Sequence, residues 1–93
     1  MKITIKTSFD KDIKKIKDVE LRKKILVLIS EIENLSDSNS IQNMKKLKGY
    51  KYSHRIAFNH NAVEYRVCVN IFKDRISIER FLPRSKSYRL FLL

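Results

Sequence analysis

YKYSHRIAFNHNAVEYRVCVNIFKDRISIERFLP, Tyr50–Pro83, is the stretch that decides the fold. Its side chains alternate. Tyr52, His54, Ile56 and Phe58 interleave with Ser53, Arg55 and Ala57, the pattern of a strand with one buried face. Asn59-His60-Asn61 is a turn signal. Val63, Tyr65, Val67, Val69 and Ile71 form the next stripe, and Lys73-Asp74 makes a second turn. Ile76 and Ile78 begin a third strand, which Pro83 stops because it has no N–H for a ladder. Three consecutive strands with short turns predict an antiparallel sheet.

Upstream, KITIKT (Lys2–Thr7) places Ile3 and Ile5 in alternation, a further half-buried strand. Ser8 is a candidate helix cap, and Asp10 and Asp12 suit the positive first turn. Phe9, Ile13 and Ile16 then recur at helical spacing in a short helix ending near Asp18. The clearest helix runs from Glu20 to Leu35, where Leu21, Ile25, Leu28, Ile29, Ile32 and Leu35 make one apolar stripe. Ser36–Ser40 reads as a loop. Arg84–Leu93 is a tail, helical or extended. The order is β-α-α-β-β-β with a short C-terminal tail or helix, an α+β fold in which an antiparallel sheet packs on a helical hairpin. One domain, 1–93, accounts for the length.

The charge is the first functional clue. Twenty-one Lys and Arg against 10 Asp and Glu leave +11 on 93 residues, more than solubility requires. Such a field attracts nucleic acid, an anionic membrane or an acidic protein. No apolar run is long enough for a membrane helix, so a membrane partner is not expected. One cysteine, Cys68, cannot form an internal disulfide and fits a reducing cytoplasm. With Gly49 as the single glycine there is no Gly-rich phosphate loop. One Cys with His54 and His60 is a poor zinc set, and no cofactor is expected. Glu64 and Glu79 read better as partners of neighbouring cations than as a carboxylate pair. Cys68, alone in a strand, reads as a small buried apolar residue.

Four short motifs occur in order: KLKG (Lys46–Gly49), HRI (His54–Ile56), YRV (Tyr65–Val67) and RSKSYR (Arg84–Arg89). In their order and spacing they resemble the RelE/ParE superfamily, and the upstream strand and two helices follow the same order. The resemblance spans nearly the whole chain. It implies the toxin of a type II toxin–antitoxin pair. RelE-like members cut messenger RNA in the ribosomal A site. ParE-like members share the fold and inhibit DNA gyrase. A non-catalytic basic RNA-binding domain is the third possibility. The implied partners are an antitoxin, mRNA and the ribosome, with DNA reached only through an antitoxin complex.

Carried onto this chain, the resemblance assigns catalysis to Arg55, Arg66, Arg84 and Tyr88. Lys45, Lys46, Lys48, Lys51, Arg80 and Lys86 become RNA contacts. Ala57 stands where ribonucleases of the group carry a second lysine. The chemistry suits these residue types. RNA supplies its own nucleophile, the 2′-hydroxyl. A metal-free cut then needs cations to balance the pentavalent phosphate, and guanidinium matches two phosphate oxygens at once. Tyr88 suits stacking or proton transfer.

A two-residue loop at His60-Asn61 would set Arg55 directly opposite Arg66 on one face of the sheet. Like charges so placed repel, so alanine at either position would abolish toxicity while leaving stability equal or higher.

Overall fold

The computed structural model describes residues 1–73 and 75–90, with side chains as far as Ser87. Strand β1 is Lys2–Ile5, followed by helices α1 (Thr7–Lys14) and α2 (Val19–Glu33). A single 3₁₀ turn, Ser38–Ser40, leads to a short strand β2 (Met44–Lys46). The meander β3 (Ser53–His60), β4 (Val63–Phe72), β5 (Arg75–Pro83) and a last helix α3 (Arg84–Leu90) complete the chain. The sheet order is β1-β5-β4-β3-β2. Asp74 of the expected Lys73-Asp74 turn and residues 91–93 lie outside the described residues.

The α+β class and the helix-on-sheet arrangement hold, with three differences. First, β1 runs parallel to β5, so the sheet is mixed rather than wholly antiparallel. The two helices carry the chain back to the far edge, as parallel neighbours require. Second, β2 adds a fifth strand on β3. Third, the helix boundaries move. Residue Lys6, not Ser8, occupies the cap position of α1, and the Ser8 hydroxyl instead donates to the Glu79 carbonyl at 2.6 Å. Helix α1 ends at Lys14, and Asp18 begins α2 by accepting from the Glu20 and Leu21 amides.

The predicted stripe of α2 does face the sheet. Leu21, Ile25 and Ile32 join Ile56, Val67, Val69, Ile76, Ile78 and Phe81 in one buried core. Phe58, Tyr65 and Phe81 extend it as an aromatic cluster, with Tyr65 stacked on Phe81 at 5.0 Å between centroids. By strand parity, every one of these sheet residues lies on the helix-covered face.

The β3–β4 loop is Asn61-Ala62, not His60-Asn61, because His60 pairs with Val63. Both loop residues have positive φ, 48° and 63°, as a twist-matched two-residue hairpin demands. Alanine is an unusual occupant of that region, which is why the sequence does not announce this loop. Further along, β5 carries a bulge: Cys68 pairs with Arg80 and Val69 with Ile78, leaving Glu79 between them.

The pairing of β1 stops where Ile5 meets Ile78. Beyond that point Asp12 of α1 covers the edge of β5. One carboxylate oxygen accepts from the Phe81 amide at 2.9 Å, and both oxygens grip the Arg80 guanidinium at 2.8 and 2.9 Å. The Asp12 side chain is 8% exposed and Arg80 26%. Removing one partner of a buried pair leaves the other charge and a strand amide uncompensated. Asp12→Ala should therefore cost about 3 kcal/mol, read as a fall in thermal midpoint of roughly 12 °C or more.

The second oxygen of Asp18 meets His60 Nε2 at 2.9 Å, joining the start of α2 to the end of β3. A carboxylate only accepts, so Nε2 is the donor. That hydrogen bond, and then the one from the Leu21 amide, hold the Asp18 carboxyl below its ordinary value. A lowered folded pKa means that the contact stabilises the fold above the ordinary carboxylate range and is lost as pH falls through the lowered value. Asp18→Asn should flatten the acid limb of a stability-versus-pH curve below about pH 4 while leaving its neutral region nearly parallel to wild type.

Candidate nucleic-acid interface

The face of the sheet opposite α1 and α2 is the basic one. Its occupants follow from register. Lys45, Arg55, Cys68 and Arg80 form one row across β2, β3, β4 and β5, and Ala57, Arg66 and Leu82 form the next. Towards the other end, Ser53, Asn70, Ser77 and Thr4 make a polar row, followed by Phe72, Arg75 and Lys2. Helix α3 packs against β4 and β5.

Arg55 is therefore not opposite Arg66. It faces Cys68, and Arg66 faces Ala57. The true loop shifts the register by two residues, which preserves the face. The two arginines are diagonal neighbours on the same surface. The expected gain in stability on removing Arg66 falls with the direct opposition. Arg66 is buried, with a side chain 6% exposed. Its Nε and one terminal nitrogen donate to the same Glu64 oxygen at 3.1 and 2.9 Å.

Glu64 also draws in Arg84. The Arg84 Nε lies 3.8 Å from that same oxygen, and its side chain is 59% exposed at the start of α3. One carboxylate thus gathers two guanidinium groups from different elements. The spacing of Glu64 and Arg66, two apart on a strand, signals a shared face; the convergence with Arg84 across β5 does not show in sequence. Glu64 and Glu79 do not meet: Glu64 pairs with Asn59, and Glu79 sits in the bulge, hydrogen-bonded to the Ser77 hydroxyl at 2.6 Å.

The remaining site residues divide. Lys45 lies in β2 beside Arg55 on the basic face, Lys46 pairs with His54 and so stands on the other side of the sheet, and Lys48 and Lys51 lie in the exposed loop after β2. Lys86 is exposed on α3. Arg80, expected as an RNA contact, has its guanidinium bound by Asp12; those hydrogen bonds, foremost, raise its already high pKa. Tyr88 belongs to α3, but its side chain lies outside the described residues.

Neither histidine serves this face. His54 Nδ1 donates to the Tyr52 carbonyl at 2.8 Å, and His60 is buried against Asp18 on the helix side. Both stand on β3. Among the described residues, no three of His, Cys, Asp and Glu come together as a metal-ion set.

Cys68 reports on the electrostatics. Burial pushes its thiol up to about 12, while the charges of Arg66, Arg80 and Arg55 pull the other way. Three guanidinium groups thus surround one strand position, yet desolvation wins. The thiolate is the reactive form, so Cys68 should resist alkylation by iodoacetamide at pH 8 in the folded protein. It should react stoichiometrically once the protein is unfolded in guanidinium chloride; mass spectrometry separates the two.

No family model matches the chain. It is 32% identical over 92 residues to a curated protein, toxin RelE3 of Methanocaldococcus jannaschii, covering 98% of this chain and 99% of that one. The fold is similar to the crystal structure of a RelB–RelE antitoxin–toxin complex from Methanococcus jannaschii. The TM-score is 0.75 at 29% identity, over 95% of this chain and 98% of that chain. A copper-bound mutant toxin from Helicobacter pylori shares the fold more distantly, with a TM-score of 0.53 at 22% identity and 98% of this chain covered. A full-length match at that identity, on the same arrangement of helices and sheet, shows that the chain belongs to the RelE family of toxins, the toxin half of type II toxin–antitoxin systems.

Proposed function

We propose that the protein is a messenger-RNA endoribonuclease that arrests translation, works in the ribosomal A site without a metal ion, and is silenced by a cognate antitoxin. The observation that carries this is the convergence of Arg66 and Arg84 on one oxygen of Glu64. Two guanidinium groups that share an oxyanion support a site able to take a scissile phosphate. Guanidinium binds phosphate oxygens with the same fork that it offers a carboxylate.

In this mechanism the RNA 2′-hydroxyl attacks the adjoining phosphorus, the bond to the 5′-oxygen breaks, and negative charge builds on the phosphoryl oxygens. Arg84 is exposed and closes on that charge from α3. Arg66 approaches from the sheet floor, held in orientation by Glu64, and Arg55 adds positive potential from the diagonal position. Such preorganised donors act where charge develops. Tyr88 on α3 is assigned to the reacting nucleotide, to stack on its base or to move a proton. Lys45, Lys48, Lys51 and Lys86 supply phosphate contacts, which give affinity and salt dependence rather than sequence choice. The antitoxin's binding segment is acidic, to match the charge of +11.

Arg84→Ala is the clean test, because that side chain is mostly exposed and its loss should change stability by less than about 0.5 kcal/mol. Induced without antitoxin, wild type should stop growth and yield transcripts cut within translated frames, seen by primer extension. Arg84→Ala should slow cutting roughly 100- to 1,000-fold, the usual effect of losing one transition-state donor. Growth arrest with intact transcripts would replace this proposal with the gyrase-inhibitor function of the same superfamily.

A further inference from the structure

A second aromatic pair stands apart from the core. Tyr52, just before β3, and Phe72, at the end of β4, have ring centroids 5.1 Å apart. Neither belongs to the cluster of Phe58, Tyr65 and Phe81 that packs beneath α2. Each ring has a cation over it: Lys51 Nζ is 5.4 Å from the Tyr52 centroid, and Arg75 Cζ is 5.0 Å from that of Phe72. The result is a ladder of Lys51, Tyr52, Phe72 and Arg75 at the β4–β5 hairpin end of the sheet. Tyr52 is 43% exposed.

The platform is held by backbone. The Tyr52 carbonyl accepts from the Ile71 amide at 2.9 Å, and the Leu47 amide donates to the Ser53 carbonyl at 2.9 Å. Buried Leu47 anchors the Lys48–Lys51 loop, and Gly49 takes the positive φ of 84° that its turn needs. Beside the ladder lies a cleft of about 280 Å³ lined by Thr4, Lys6, Asn70, Ser77 and Glu79 as well as Phe72 and Arg75. Its one carboxylate, Glu79, is already engaged by the Ser77 hydroxyl. Lys2 flanks Arg75 in the register.

Two adjoining rings flanked by cations suit a base-and-phosphate chain better than an apolar peptide. We propose that this end of the sheet is a second RNA subsite, where an unpaired nucleobase stacks on Tyr52 and Phe72 while its neighbouring phosphates lie on Lys51 and Arg75. Phe72 stands six positions beyond Arg66 on β4, roughly 20 Å of strand. The subsite therefore holds the RNA a few nucleotides from the cut and contributes grip rather than chemistry. It rests on RNA being the partner proposed above, but not on cleavage.

Binding is measured with a short single-stranded 2′-O-methyl RNA, which lacks the attacking hydroxyl and stays intact whatever the catalytic outcome. The double variant Tyr52→Leu, Phe72→Leu should bind roughly 5- to 150-fold more weakly, the effect of losing a base stack. Tyr52→Phe should bind like wild type. An RNA with one abasic nucleotide at the stacked position should lose the same factor on wild type and nothing further on the double variant. On unaltered protein, 2-aminopurine at that position should be quenched on binding, which keeps the test independent of how the variant folds. Equal affinity for normal and abasic RNA, with no quenching, would overturn the subsite. So would a double variant that loses only binding to an acidic peptide, which would make the patch a protein-docking surface. If stacking is found but natural RNA is never cut, the subsite stands and the nuclease proposal falls.

Discussion

The carboxylate of Asp12 is the contact on which most of the arrangement depends. Strand β1 covers only the first part of β5, and a sheet edge left inside a protein would expose unsatisfied amides. Asp12 supplies what a strand would have supplied, an acceptor for the Phe81 amide. The same group neutralises Arg80, so two needs are met by one side chain from α1. This fixes where α1 crosses the edge of the sheet, and α2 follows from it. The helix pair seals one face; the other carries the strands' charged side chains.

That division explains the site. Core burial claims the side chains of one parity along β3, β4 and β5. The opposite parity then carries Arg55, Arg66, Arg75 and Arg80 with Lys2 and Lys45. So many cations on one surface repel unless some are paired. Asp12 draws Arg80 to the edge, and Glu64 holds Arg66 in place. Arg84, entering from α3, meets the same carboxylate with more than half of its side chain in solvent. Arg80 and Arg66 are held closely by carboxylates, and Arg84 is held loosely.

Much of this was legible from alternation alone. The stripes Ile56-Phe58 and Val63–Ile71 and the helical stripe from Leu21 to Leu35 place the core because burial dictates their period. Faces were legible too: a register wrong by two residues still put Arg55 and Arg66 on one surface. The exact register was not, because it hangs on an alanine at φ 63° in the hairpin loop. Strand β2 was hidden because Met44–Lys46 shows no apolar alternation. The parallel pairing of β1 and the Asp12–Arg80 pair, 68 residues apart, are long-range outcomes that no local pattern announces. Among the site residues, Glu64 beside Arg66 could be read from spacing two. The Asp12 partner of Arg80 could not be read from any spacing.

The most direct test of the mechanism is the chemistry of the cut ends. If arginines only balance charge while the RNA's own 2′-hydroxyl attacks, the products carry a 5′-hydroxyl and a 2′,3′-cyclic phosphate or its 3′-phosphate. A single 2′-deoxy nucleotide on the 5′ side of the scissile bond, in an mRNA bound to ribosomes, then leaves that bond intact. Products with 5′-phosphate and 3′-hydroxyl ends, or cleavage that tolerates the deoxy substitution, would mean that water attacks instead, and would contradict the role given to Arg66 and Arg84.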